Sequence, residues 1–189
     1  METKPVTVEE DETQLSRIWR ITEATLHVPP GIIGQMTHKV LELWLAVDSP
    51  RLLPLLESLA LDAGLATQAQ RVEAVRRVRE LIERLCAHPL RAEIDSAAER
   101  HHEVPYSRMA GEFSETGYID LLYRTSEGWQ VVDFKTDSIR SARERDELIG
   151  LYRRQMSRYI GAVKALLGQP AQVRICFLDD NGSVNVVGL

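Results

Sequence analysis

Three charged residues interrupt two apolar, strand-like runs that a short turn joins. Asp120 lies in the first run, 117–124, while Asp133 and Lys135 lie in the second, 129–135. If the turn has four residues, the hairpin register places Asp120 directly across from Asp133, with Lys135 on the same face as Asp133. Directly opposed carboxylates have Cβ atoms about 4.5–5.5 Å apart and repel each other. A half-buried pair of this kind therefore needs a cation nearby.

Two interpretations of this hairpin are open. The structural one treats Asp120 and Asp133 as solvated strand-end residues with no relation to each other. It must then explain three charged side chains on one face of apolar strands, where charged residues are uncommon. The functional interpretation, which we favour, is a metal site, and a hard divalent ion such as Mg²⁺ or Mn²⁺ suits two carboxylates at that separation.

The hydrophobic period changes from helical to strand-like near residue 90, which predicts an α/β chain. The predicted helices cover 32–47, 50–63, 68–86 and 141–168. The predicted strands cover 101–107, 117–124, 129–135, 172–178 and 183–187, the last two joined by an Asn-Gly turn. Residues 1–13 are predicted to be an acidic flexible arm, and 14–189 a single domain, because 189 residues are too few for two ordinary ones.

Composition excludes some classes of protein and leaves others open. The formal net charge is −5, but five acidic residues and one basic residue lie in the first twelve, so charge does not argue against a nucleic-acid partner. No apolar run is long enough to span a membrane, and the acidic N-terminus does not resemble a signal peptide, so we expect a cytoplasmic protein. Cys86 and Cys176 fit no zinc or iron–sulfur pattern and are predicted to be free thiols, with no iron–sulfur cluster.

Four short motifs give the chain a family resemblance. They are Gly-x-x-x-His at 34–38, Gly-x-Ile-Asp at 117–120, Asp-x-Lys-Thr at 133–136 and Gln-x-x-x-Tyr at 155–159. In this order and spacing they resemble the nuclease domain of the RecB/AddA family, a branch of the PD-(D/E)XK nuclease superfamily. The similarity covers roughly residues 32–189. It implies a restriction-endonuclease-like core, in which helices flank a mixed central sheet, with an N-terminal helical portion.

The resemblance also implies a role for each motif residue. Asp120 and Asp133 would be catalytic carboxylates that bind Mg²⁺ or Mn²⁺, and the backbone carbonyl of Phe134 and the imidazole of His38 would complete the metal ligands. Lys135 would orient or activate the attacking water, or hold the phosphate. These roles agree with the chemistry of phosphodiester hydrolysis, in which a metal activates water and cations neutralise the developing charge.

His38 also has a place in the helical pattern. Together with Gly34, Leu41 and Leu45 it falls on one helix face, which is predicted to be buried, so its imidazole needs a polar partner. A satisfied core histidine is the ordinary alternative, but with the motif match we favour a metal ligand.

Gln155 and Tyr159 are four residues apart and are predicted to share one face of the long helix. Gln155 is predicted to be catalytic or DNA-binding through its amide, which would bind a phosphate or the catalytic carboxylates. Tyr159 is predicted to contact DNA, its phenol packing on a sugar or base. The alternative is an ordinary helix surface. The arginines of this helix remain undecided between DNA contacts and a solvated face, and Glu103 between a supporting role at the site and an ordinary strand residue.

The resemblance implies a divalent-metal-dependent deoxyribonuclease that acts on DNA ends or single strands in recombination and repair. Its expected partners are DNA and a helicase or ATPase domain or subunit, since nuclease domains of this family usually belong to a large helicase. The chain itself has no phosphate-binding Gly-x-x-x-x-Gly-Lys motif. The main alternative is a catalytically silent DNA-binding module of a helicase complex. A restriction- or transposase-type endonuclease would share the core but not normally the Gln-x-x-x-Tyr motif. Cleavage polarity and the choice between DNA and RNA stay open.

Overall fold

The computed structural model describes residues 27–110 and 113–189, so the predicted arm at 1–13 lies outside the described residues. The helices are α1 Pro30–Glu42, α2 Leu52–Asp62, α3 Gln68–Ala87, α4 Pro89–Asp95 and α5 Ala142–Leu167. The strands are β1 Glu99–Ala110, β2 Phe113–Thr125, β3 Gly128–Ile139, β4 Ala171–Asp180 and β5 Ser183–Gly188. Within these ranges, no helix is long and apolar enough to cross a membrane.

The five strands form one mixed sheet in the order β1-β2-β3-β4-β5. All neighbouring strands are antiparallel except β3 and β4, which are parallel and are joined by α5. A parallel pair needs a crossover connection of this kind, whereas β2–β3 and β4–β5 are joined by short turns. The predicted fold class, a mixed sheet flanked by helices with an N-terminal helical portion, is confirmed.

The register of β2 and β3 positions the carboxylates. Arg124 pairs with Trp129, as the four-residue turn predicts, and the paired ladder ends at Leu121 opposite Val132. Asp120 and Asp133 are the next residues beyond that last pair. The Asp120 carboxylate accepts a hydrogen bond from the backbone N–H of Phe134 at 2.8 Å. The two strands therefore separate where the charged residues lie, and a side chain takes the place of a ladder bond.

Side chains on the two faces of the sheet belong to two separate cores. One core contains the N-terminal helices and alternate sheet residues such as Leu121, Val132 and Phe134. The other contains α5 with the intervening sheet residues, such as Leu122, Val131 and Ile175. This alternation follows from the two-residue period of a strand. The charged end of the β2–β3 pair consequently lies between α1 on one side of the sheet and α5 on the other.

Two helix predictions need correction. Helix α1 ends at Glu42 instead of residue 47, because Trp44 adopts a left-handed backbone with φ of 49°. Its indole donates to Asp95 at 2.6 Å and packs under the guanidinium of Arg91, 4.0 Å from the ring centre. His88 and the proline after it end α3 as predicted, but they also start the unpredicted α4, whose first turn His88 caps through its imidazole.

Candidate metal and catalytic site

Asp120 lies at the end of the β2–β3 ladder, where α1 passes over the sheet. Its Oδ2 atom accepts the Phe134 N–H bond and lies 3.5 Å from Nδ1 of His38. The His38 side chain is 34% exposed, so the imidazole is reachable from the groove in front of it. The structure thus brings together the two residues that the first two motifs predicted to be metal ligands.

Glu103 joins these two residues from β1. Its neighbours pair with β2, His102 with Leu121 and Val104 with Ile119, but Glu103 has a left-handed backbone with φ of 47° and does not pair. Such a conformation is uncommon for a residue other than glycine and is found at functional sites. Possible ligand atoms of His38, Glu103 and Asp120 all lie within 4.8 Å of one another. Hard carboxylate oxygens with an imidazole nitrogen are a donor set that fits a divalent cation.

Sequence reasoning left the role of Glu103 open. The β1–β2 register could have indicated a role, because it places Glu103 opposite Asp120 when the pairing of the flanking residues is extended. That pairing was not predicted, so the signal could not be used.

Asp133 is 1% exposed and is held by three side chains. Its Oδ1 atom accepts hydrogen bonds from the Gln155 amide at 3.1 Å and from the Tyr159 hydroxyl at 3.2 Å. Its Oδ2 atom lies 2.8 Å from Nζ of Lys135, an ionic contact whose angles are not those of a hydrogen bond. Asp133 is therefore in contact with the predicted catalytic lysine and lies outside the 4.8 Å group of His38, Glu103 and Asp120.

Lys135 and Gln155 complete the arrangement. The lysine ammonium donates to Oε1 of Gln155 at 3.1 Å and lies 4.2 Å from the centre of the Tyr152 ring. The Gln155 amide thus accepts a hydrogen bond from Lys135 and donates one to Asp133, which fixes the two charged groups relative to each other. Among the roles predicted for Gln155, this geometry favours binding to a catalytic carboxylate.

The prediction that Tyr159 packs on a sugar or base needs correction. The residue is 2% exposed, and its ring packs edge-on against Tyr106 with centroids 6.0 Å apart. A buried ring presents no face on which a base can stack. Tyr159 instead positions the Asp133 carboxylate through its hydroxyl, and the Gln155 amide contacts the same hydroxyl at 2.6 Å.

Burial changes the protonation of the site. Desolvation, followed by the charge of Asp133, raises the pKa of Asp120 to about 8. Desolvation also raises the pKa of Asp133, although Lys135 opposes the shift. The pKa of His38 is lowered, chiefly by burial, which favours the neutral imidazole that a metal requires. Because the two carboxylates resist being ionised together, a bound cation would stabilise their doubly ionised form.

A groove of about 630 Å³ adjoins the site, and two of the site residues, His38 and Lys135, line it. Its floor includes Phe134, Lys135 and Thr136 of β3, and His38 forms part of the α1 wall. Phe134 contacts Asp120 through its backbone N–H, and its carbonyl as a metal ligand stays a prediction. Cys86 and Cys176 are free thiols, as the spacing predicts.

Comparison with known proteins agrees with this fold. The model of a family described as the PD-(D/E)XK nuclease superfamily matches residues 14–187. The chain therefore belongs to the PD-(D/E)XK nuclease superfamily.

Two relatives and one solved structure are also similar to this chain. The chain is 27% identical over 167 residues to an ATP-dependent helicase/nuclease subunit of Oceanobacillus iheyensis, a match that covers 78% of this chain and 13% of the relative. It is 32% identical over 68 residues to the protein of the same name from Desulforamulus reducens, over 36% of this chain and 5% of the relative. These names bear out the RecB/AddA resemblance. The crystal structure of a Vibrio cholerae protein aligns with 81% of this chain and 48% of its own, at 13% identity and a TM-score of 0.33.

Proposed function

We propose that this chain is a divalent-metal-dependent deoxyribonuclease that hydrolyses phosphodiester bonds of DNA ends or single strands in recombination and repair. The observation that carries the proposal is the contact network of Asp133, Lys135 and Gln155 beside the cluster of His38, Glu103 and Asp120. A half-buried lysine against a buried carboxylate, next to a cluster of side chains that could bind a metal, is an arrangement that hydrolysis requires and that a binding surface does not. The family match at 14–187 supports treating 14–189 as one nuclease domain.

In this proposal His38, Glu103 and Asp120 hold Mg²⁺ or Mn²⁺, with Asp133 and the Phe134 carbonyl as further candidate ligands. When bound, the ion lowers the pKa of a coordinated water and neutralises charge on the phosphate.

Lys135 supplies the second positive charge. Its ammonium is fixed by Asp133 on one side and Gln155 on the other, so it is oriented before substrate arrives. It can hold the phosphate or orient the attacking water, and it stabilises negative charge that grows as the phosphorus becomes five-coordinate. Because that charge is larger in the transition state than in the substrate, this interaction raises the rate and not only the affinity.

A helicase partner is the second part of the proposal. Both relatives are named as components of ATP-dependent helicase/nucleases, and this chain spans only 5% and 13% of their lengths. This chain contains no Gly-x-x-x-x-Gly-Lys motif for nucleotide phosphates. We therefore propose that a separate ATPase domain or polypeptide delivers DNA to this nuclease.

The test uses end-labelled linear and circular single-stranded DNA in EDTA, Mg²⁺ or Mn²⁺. The parent protein is expected to cut only with metal, and Asp133→Ala and the isosteric Asp133→Asn are expected not to cut. Asp146→Ala is the matched control, because Asp146 is an exposed carboxylate on α5. Cleavage in EDTA, or by either Asp133 variant, contradicts the proposal. DNA binding with no cleavage in either metal would instead favour the silent module.

A further inference from the structure

A second cavity adjoins the catalytic groove. It has a volume of about 340 Å³ and lies between α3 and the ends of β3 and β4. Three residues line both spaces: Arg77 of α3 and Thr136 and Ser138 of β3. The two spaces are therefore contiguous, and a chain-like ligand in the groove can continue into the cavity across Thr136.

The cavity is rich in guanidinium groups. Its four arginines are Arg76, Arg77, Arg84 and Arg140, and its three acidic residues are Glu73, Glu80 and Asp179. Three of the arginines already contact acidic residues: Arg76 contacts both glutamates, and Arg84 and Arg140 share Asp179.

Arg77 differs from the other three. Within residues 27–110 and 113–189 its half-buried side chain has no hydrogen bond or ion pair. The carboxylate of Glu73, one helical turn away, attracts Arg77 without contacting it, whereas a phosphate offers a guanidinium two parallel hydrogen bonds. Arg77 also stands at the junction of the groove and the cavity, so its guanidinium is available to a ligand that occupies both.

The charges that line the groove indicate the direction in which a bound polyanion runs. The α5 wall of the groove carries Glu144 and Glu147, of which Glu147 pairs with Arg143, and β3 adds Asp137, whose carboxylate accepts a hydrogen bond from Tyr152. The side toward α3 carries Arg77 and leads to the arginine-lined cavity. A polyanion that reaches Lys135 is therefore favoured to leave toward α3.

We propose that Arg77 binds a backbone phosphate other than the one being cut, on a strand that runs from the catalytic groove over Thr136 into the arginine-lined cavity. The proposal rests on the proposed nuclease function for the identity of the ligand, a polynucleotide. Arg77 is a positioning residue in this account, since it contacts the substrate away from the scissile bond.

The experiment measures binding of a labelled 20-nucleotide single strand in EDTA at several salt concentrations. Arg77→Ala and the length-preserving Arg77→Gln are expected to weaken binding about fivefold to tenfold. They should also lower the magnitude of the slope of log affinity against log salt by about 0.7, the value for one lost phosphate contact on a single strand. Arg77→Lys should retain most of the slope. Arg79→Ala is the control, because Arg79 lies on the same helix, contacts only Glu83 at 3.8 Å, and lines neither space.

Cleavage kinetics then separate positioning from chemistry. The Arg77 variants are expected to raise KM while kcat and Mn²⁺ affinity stay at the parental values. Unchanged DNA affinity, an equal loss in Arg79→Ala, or a fall in kcat without a change in KM would each overturn the assignment. If the parent binds DNA but never cuts it, the proposed nuclease function fails, while the binding comparison still decides the role of Arg77.

Discussion

Asp133 is surrounded by groups that fix both of its oxygens. Gln155 and Tyr159 approach one oxygen from α5, and Lys135 approaches the other from the same strand. Burial raises the pKa of this carboxyl, and the lysine charge opposes that shift. The lysine thus helps to keep Asp133 ionised, which a carboxylate must be to accept a proton from water.

Lys135→Met should reduce kcat by about 10²–10³-fold, because it removes a preorganised cation at the phosphate. Mn²⁺ binding should survive, since the ammonium repels the ion and is not its ligand. The measurement is calorimetric Mn²⁺ titration together with single-turnover cleavage, with Lys164→Met, an exposed lysine at the end of α5, as the control. Loss of Mn²⁺ binding in Lys135→Met alone would show that the lysine orders the metal ligands themselves.

Helix α1 brings His38 to the sheet through a close approach at Gly34. A Cβ atom on Gly34 would lie 3.3 Å from Oγ1 of Thr136, which is tighter than ordinary packing. One turn further along the same helix, His38 reaches Asp120. The Gly-x-x-x-His spacing therefore places the proposed metal ligand His38 one helical turn from the close contact of α1 with β3. The helix position sets the distance between the imidazole and the Asp120 carboxylate.

Gly34→Val should force α1 away from β3, destabilise the fold by about 1–3 kcal/mol and weaken Mn²⁺ affinity. Gly31→Val is the control on the same helix, because a Cβ at Gly31 meets nothing within 4 Å. Both variants receive the same β-branched residue, so helix propensity is matched. Titration of both with Mn²⁺ tests the idea, and equal affinities would mean that the helix position does not govern the metal site.

Element-level features were predictable where local chemistry decides them. The turn length between β2 and β3 set the register, and the helical period placed Gln155 and Tyr159 on one face. Features that depend on tertiary contacts were not predictable. Glu103 joins the site through a left-handed backbone, and Tyr159 is buried against Tyr106, which no local pattern specifies.

The site assembles from both layers of the molecule. The N-terminal helices supply His38, the sheet supplies the carboxylates and Lys135, and α5 supplies Gln155. Repulsion between the two buried carboxylates opposes folding of the whole domain. A change that removes this repulsion should therefore raise the free energy of unfolding.

The stability of the metal-free protein should depend on pH in a definite direction. The pKa of Asp120 is raised from 3.8 to about 8, so the folded state holds a proton that the unfolded state releases. This contribution to stability is complete below pH about 4 and is lost as pH rises to about 8. Urea unfolding in EDTA at pH 5, 6.5 and 8 should show a falling free energy of unfolding. A rise over this range would contradict the burial of ionisable carboxylates at the site.

The most direct test of the central claim, that Asp120 and its neighbours form a divalent-metal site, is scanning calorimetry of the parent and Asp120→Asn in EDTA and in excess Mn²⁺, at pH 8. Without metal the variant should melt higher, since one of two repelling charges is gone at nearly constant volume. The gain is on the order of a few tenths to 1 kcal/mol, or about 2–4 °C for each kcal/mol. Added Mn²⁺ should stabilise the parent by mass action and the variant much less. Equal melting temperatures in EDTA, together with equal shifts on adding Mn²⁺, would contradict the account.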